Sequence, residues 1–250
     1  MNFKDKVAIV TGGSRDIGKA ISLKLGAAGA KVVVNYFNNE EQGNETVKAI
    51  TDAGGTAIAV AGDMTKSADV DNLVAETTKA FGDKVDVLVN VVGGLVARKS
   101  LEEMDEEFFN YVMQLNLTST FLTMKAVVPL MDSGSTVVNL SSLAGRDGGG
   151  PGASAYATSK GAIMTFTRGM AKELGPKGIR VNCVCPGMIS TTFHDTFTKD
   201  EVRKNVAAGT PLRREGQADE VADLVTYLAS DKSSFLTGTS VDINGGLAFS

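Results

Sequence analysis

Hydrophobic and polar positions follow two rhythms along this chain. Short apolar or β-branched runs read as strands: Val7 to Val10, Lys31 to Tyr36, Thr56 to Ala61, Val85 to Val89, Thr136 to Leu140, Arg180 to Val184 and Ser240 to Ile243. Between them lie segments with helical periodicity: Ile17 to Ala28, Glu40 to Ala53, Ala68 to Phe81, Glu106 to Val128, Tyr156 to Leu174 and Asp219 to Leu228. Gly29, Gly54-Gly55 and Gly175-Pro176 close three of these helices, and Ser67 stands where it would cap the third. Strands that are unbroken apolar runs are buried on both faces, as in a parallel sheet. Strand–helix alternation then requires right-handed crossovers. The pattern predicts an α/β fold: one doubly wound domain over residues 1–250, with a seven-stranded parallel sheet and helices on both faces. No repeat, low-complexity segment or linker divides it. The one long connection, Gly187 to Gly216, is expected to form a lid at about 188–215.

Composition narrows the picture. The 250 residues are 43% hydrophobic and 22% charged, with a net charge of −4, which is globular. Acidic and basic residues are interleaved and no block of Lys and Arg suits a phosphate backbone, so no nucleic-acid partner is expected. Cys183 and Cys185 sit two apart in a strand and point to one face, and they read as reduced core thiols of a cytoplasmic protein. The single histidine, His194, makes no metal site with them at any usual spacing. The N-terminal residues lack the apolar region of a secretory signal, and no run approaches the roughly 20 apolar residues of a membrane span.

Two segments carry candidate chemistry. Thr11-Gly12-Gly13-Ser14-Arg15-Asp16-Ile17-Gly18 ends the first strand and opens the first helix. Glycines there let backbone approach a pyrophosphate, and the helix end offers free N–H groups. An ordinary glycine-rich turn would look the same by position alone. A dinucleotide fold often places an acid after its second strand, where it holds the ribose hydroxyls of NAD. This chain has Tyr36 there with Arg15 within reach, which favours NADP(H), whereas Glu40 and Glu41 argue the other way. In the second segment, Tyr156 and Lys160 lie one helical turn apart. A buried ammonium beside a phenol lowers the phenol pKa and makes it a usable acid for a carbonyl oxygen. Ser142, just past the fifth strand, stands where it would hold the same oxygen. Taken alone, a Tyr-xxx-Lys pair is more often a solvated helix face.

With these motifs in order, the chain resembles the short-chain dehydrogenase/reductase family over nearly its whole length. The cofactor turn matches at Thr11, Gly12 and Gly18. Asp63, with Met64 beside it, resembles the acid that binds the adenine amino group, and Asn90 and Gly93 resemble the segment after the fourth strand. Asn116, Ser142, Tyr156 and Lys160 match a catalytic tetrad. Pro186-Gly187-Met188-Ile189-Ser190-Thr191 resembles the nicotinamide-contacting segment, and Asn244-Gly245-Gly246 the closing strand. The resemblance implies a Rossmann fold, an NAD(P)-dependent oxidoreductase acting on CH–OH groups, and a homotetramer. It further implies that Tyr156 protonates the carbonyl oxygen, Lys160 tunes the tyrosine and holds the ribose, Ser142 positions the substrate, and Asn116 holds a water joined to Lys160.

Two departures stand out. Asp16 occupies a position usually filled by glycine, and its carboxylate is expected to point away from the pyrophosphate, to solvent or as a helix cap. Val91 and Val92 replace a second Asn and an Ala. For the substrate, Arg98, Arg146 and His194 are the candidate contacts for a small acidic, sugar-derived carbonyl compound such as a keto-uronate. The segment Val92 to Lys99, with Arg15 to Gly18, resembles bacterial reductases of an alginate-derived keto-uronate. The overall layout is similar to 3-oxoacyl-carrier-protein reductases, for which Arg203, Lys204, Arg213 and Arg214 would supply a basic patch. A nucleotide-binding sensor or scaffold without activity is the non-enzyme alternative.

Overall fold

The computed structural model describes residues 1–249; Ser250, the last residue of the expected domain, lies outside the described residues. In chain order the elements are β1 (Val7–Thr11), α1 (Asp16–Ala27), β2 (Lys31–Tyr36), α2 (Glu40–Asp52), β3 (Thr56–Ala61), α3 (Ser67–Phe81), β4 (Val87–Asn90), α4 (Glu106–Met113), α5 (Ser119–Val127), β5 (Thr136–Leu140), α6 (Ala144–Asp147), α7 (Ser154–Leu174), β6 (Arg180–Pro186), β7 (Ile189–Ser190), α8 (Thr192–Phe197), α9 (Asp200–Gly209), β8 (Gly216–Gln217), α10 (Ala218–Ala229) and β9 (Ser240–Ile243). Seven strands form one parallel sheet in the order β3-β2-β1-β4-β5-β6-β9. The strand order reverses beside β1, which neighbours both β2 and β4, and that is where open α/β sheets form a ligand crevice.

Successive strand residues point to opposite faces, so each apolar run feeds two cores. Ala8, Val10, Val32, Val34 and Val89 pack with Ile21 and Leu25 of α1 and with Val221, Val225 and Leu228 of α10. Ile9, Val33, Leu88 and Val137 pack on the other face with Leu73, Met124, Val127 and Leu174. Full burial of one such side chain contributes about 1.5–3 kcal/mol, which explains why the strands carry so few polar residues. Cys183 and Cys185 are free thiols buried together with Ile163 and Met164. No helix among the described residues is long and apolar enough to cross a membrane.

Three local expectations are corrected. The helix expected over Glu106 to Val128 is interrupted by a π-helical turn at Gln114–Thr118. The Ser119 and Thr120 hydroxyls donate to the carbonyls of Leu115 and Asn116 in that turn, which stabilises the irregular backbone. Ser67 lies inside α3 rather than capping it; the N-cap is Lys66, with no side-chain bond. The fourth strand runs from Val87 to Asn90, two residues later than expected at its start, although Val85 is still fully buried. The long connection is itself structured: α8 and α9 lie between β7 and β8, which pair parallel to each other.

Candidate active site

The site forms where β1, β4, β5 and β6 end. At the tip of β1, Gly12 takes a left-handed φ of +60°. A Cβ on Gly18 would lie 2.0 Å from the Gly12 carbonyl oxygen, so helix and turn meet at a spacing only glycine permits. Asn35 shapes this turn, a role invisible in sequence apart from one polar residue in an apolar strand. Its Oδ1 accepts from Gly12 N–H at 3.0 Å, and its carbonyl accepts from Gly13 N–H at 2.8 Å. No side chain caps α1, so the N–H groups of its first turn remain available to an anion. These features fit the pyrophosphate of a dinucleotide.

The candidate tyrosine and lysine lie at the start of α7. Tyr156 is half-buried. The Lys160 ammonium lies 5.7 Å from the Tyr156 ring centroid and donates to Leu140 O at 2.8 Å. A Cβ on Gly93 would fall 2.9 Å from Lys160 Nζ and 2.5 Å from Asn116 Oδ1, so these three residues share one wall. The π turn presents Asn116, which is fully buried. Asn116 Oδ1 accepts from Gly94 N–H at 3.0 Å, while its Nδ2 donates to Gly94 O at 3.0 Å and to Val112 O at 2.9 Å. Its amide is thereby committed to holding the Gly93-Gly94 loop.

The electrostatics differ from the expectation that Lys160 lowers the Tyr156 pKa. Burial pushes the phenol up, and hydrogen bonding with Ser142 offsets only part of that. Burial also brings Lys160 down to about 8. Part of the phenol's burial comes from α8. Phe193 of α8 packs with its ring centroid 5.8 Å from that of Tyr156, and Phe197 lies 5.2 Å from Phe193. Phe193 thereby helps to desolvate the phenol, whereas Lys160 is buried beside Gly93 and the end of β5.

Other sequence-selected residues divide clearly. Asp63 Oδ1 accepts from Thr65 N–H at 3.0 Å and Thr65 Oγ at 2.7 Å. Burial opposes its charge, but these bonds and Lys66 outweigh burial and hold the carboxyl below its usual value. Met64 is buried in the core, and the Asn90 amide is consumed inside the protein: Nδ2 donates to Asn139 Oδ1 at 2.9 Å and Oδ1 accepts from Thr123 Oγ at 2.6 Å. Either of these two can meet a cofactor only through backbone. Tyr36 packs against Gly43 of α2. Ser14 is buried, and its carbonyl accepts from Thr46 Oγ at 3.2 Å. Ile17 packs on the core. Pro186 O accepts from Leu143 N–H at 2.8 Å, Gly187 N–H donates to Ile243 O at 2.9 Å, and Thr191 Oγ donates to Ile189 O at 3.1 Å.

The three candidate substrate contacts are not equivalent. Arg146 turns from the site, donating to Asp242 at 2.7 Å and to Ser240 O at 2.6 Å, which neutralises it. His194 is bonded to Thr198 Oγ at 2.9 Å, and burial, then the nearby Arg203, lowers its pKa, so it brings no cation at neutral pH. Arg98 donates to Pro151 O at 2.9 Å and to Phe197 O at 3.2 Å, and no acid among the described residues pairs with it. It follows a tight turn at Val96 (φ +67°), closed by the Ala97 N–H bond to Leu95 O at 2.8 Å. A β-branched residue in that region is strained, and such strain persists where a loop must aim a side chain.

Comparison with known proteins decides the lineage. The family profile described as Enoyl-(Acyl carrier protein) reductase matches residues 12–248. The chain is 38% identical over 245 residues to a 3-oxoacyl-[acyl-carrier-protein] reductase of Synechocystis sp. (strain ATCC 27184 / PCC 6803 / Kazusa), covering 97% of this chain and 96% of that protein. This chain belongs to the short-chain dehydrogenase/reductase family. Among solved short-chain dehydrogenase/reductases, one from Serratia marcescens BCRC 10948 superposes with a TM-score of 0.93 at 31% identity, covering 99% of each chain. An NADH-dependent reductase, A1-R′, responsible for alginate metabolism superposes with a TM-score of 0.91 at 31% identity, again over 99% of each chain. As a member of the family, this short-chain dehydrogenase/reductase is an NAD(P)-dependent oxidoreductase.

Proposed function

We propose that the protein reduces the carbonyl of a small acidic, sugar-derived compound such as a keto-uronate, with Tyr156 as the acid and NADPH as the preferred reductant. The observation that carries the reading is the cluster of Tyr156, Ser142 and the buried Lys160 at the end of β5, on the side of the sheet where α1 starts uncapped. The bound reduced nicotinamide supplies the hydride. The chain's own residues do the rest. Ser142 holds the substrate oxygen, and Tyr156 O–H donates its proton as that oxygen gains charge. Lys160, a charged donor at neutral pH, holds the ribose side of the cleft and stabilises the phenolate left behind. Asn116 fixes the Gly93-Gly94 wall against Lys160. Phe193 keeps water from the reacting atoms.

An acidic substrate is favoured by Arg98, an unneutralised charge fixed at the mouth. The alternative, a β-ketoacyl group on a carrier protein, is favoured by the similarity to the Synechocystis enzyme. Its basic patch, however, is largely occupied. Arg203 pairs with Glu215 at 2.6 Å and with Asp195, Arg214 pairs with Glu220 at 2.6 Å, and Arg213 donates to Ala208 O. NADPH is favoured because no carboxylate stands at Tyr36 or in the residues through Asn39 to repel a 2′-phosphate. Arg15 gives only partial support, since one of its N–H groups is bonded to Thr192. The test is NAD(P)H oxidation with a keto-uronate and a β-ketoacyl thioester, using each cofactor, in wild type and Tyr156→Phe. Turnover of the keto-uronate that falls at least about 1000-fold in the variant, with cofactor binding retained, supports the reading. Equal turnover in the variant, or none in wild type, refutes it.

A further inference from the structure

We propose that Asp16 is a positioning residue that clamps Thr192, and thereby holds α8 and its Phe193 ring closed over Tyr156. The carboxylate neither faces solvent freely nor caps α1, whose N-cap is Arg15. Its Oδ1 accepts from Thr192 N–H at 3.1 Å, and its Oδ2 accepts from the Thr192 hydroxyl. Arg15 Nη1 completes the cluster by donating to Thr192 Oγ1 at 3.2 Å.

A second observation singles the residue out. Asp16 has a φ of +48°, a left-handed conformation that is free for glycine and uncommon for other residues. The chain keeps an aspartate where glycine would adopt this backbone more freely; its carboxylate lies 3.9 Å from Arg15 Nε, and the hydrogen bonds it accepts are those from Thr192. Among the described residues, only two groups of hydrogen bonds tie α8 to the body outside the lid: these at its start, and Arg98 on the Phe197 carbonyl at its end. Thr192 immediately precedes Phe193, so releasing it frees the ring that encloses the phenol.

The clamp also spans the cleft. Asp16 begins α1 on one wall and Thr192 begins α8 on the other. On the reading above, in which the start of α1 holds the dinucleotide pyrophosphate, the clamp bridges the cofactor and slows its escape.

The test uses Asp16→Gly and Asp16→Asn. Glycine removes the carboxylate and relieves the backbone, so its Tm should equal or exceed that of wild type. Amide hydrogen exchange over residues 192–209 of the cofactor-free protein should speed up about tenfold. NADPH dissociation, followed by stopped flow, should quicken about fivefold, as expected for loss of charge-assisted hydrogen bonds. Asparagine keeps an acceptor for Thr192 N–H and a donor for its hydroxyl, so it should restore both rates to near wild type. Unchanged exchange in Asp16→Gly overturns the proposal, as does a lowered Tm that asparagine does not rescue. The exchange measurement involves no cofactor and no turnover, so it stands even if the Tyr156→Phe result refutes the catalytic reading.

Discussion

Replacing Lys160 with Met should make this protein more stable while abolishing its activity. The side chain is 4% exposed, and burial brings its pKa from 10.5 to about 8. At neutral pH the folded protein therefore carries a charge it holds unfavourably, at a cost of about 3 kcal/mol. Methionine has similar length and no charge to desolvate. Its one loss is the charge-assisted bond to Leu140 O, worth about 1.5 kcal/mol. The net gain is about 1.5 kcal/mol at pH 7, or about 3–6 °C in Tm for a chain of this size. The sign reverses the usual acid-side pattern. Because the folded pKa lies below the unfolded one, the unfolded chain binds more protons between about pH 8 and 10.5. The penalty is complete below pH 8 and is relieved as pH rises through that window. The advantage of Lys160→Met should thus fall by about 2 kcal/mol between pH 7 and pH 10, enough to cancel it. Thermal unfolding of both proteins at matched concentration and two pH values reads this directly, since titrations common to both cancel. A variant that is no more stable at pH 7, with a difference independent of pH, would show that the ammonium is well solvated and refute the reasoning.

Two further substitutions test the cofactor turn and the mouth. Gly18→Ala forces a Cβ to 2.0 Å from a backbone oxygen that no side-chain movement can relieve. It should cost about 3 kcal/mol and weaken NADPH binding at least about 100-fold by calorimetry, whereas wild-type affinity would mean the turn is more pliant than its packing indicates. Arg98→Ala should raise the KM of an acidic substrate about tenfold more than that of a neutral ketone of equal size. Equal effects on the two substrates would leave Arg98 as a fastener of Phe197 and Pro151 only.

The sequence carried the architecture because its signals are local. Seven β-branched runs separated by amphipathic helices leave little choice but a parallel sheet covered on both faces, and all seven strands appear in it. The glycine turn and Ser142 could be placed at strand ends from the pattern, but it was the family resemblance that singled out Tyr156 and Lys160, since their spacing alone is more often a solvated helix face. Tertiary structure decided what is non-local. The π turn that buries Asn116 arises from packing and hydroxyl bonds that helical periodicity does not record. Arg146 meets Asp242, 96 residues away, and Asp16 meets Thr192, 176 residues away, so neither charge could be assigned to ligand, lid or solvent along the chain. The same holds for the sense of the Tyr156 and Lys160 shifts. A one-turn spacing puts an ammonium near a phenol, but whether attraction or desolvation prevails depends on how deeply the tertiary fold buries each group.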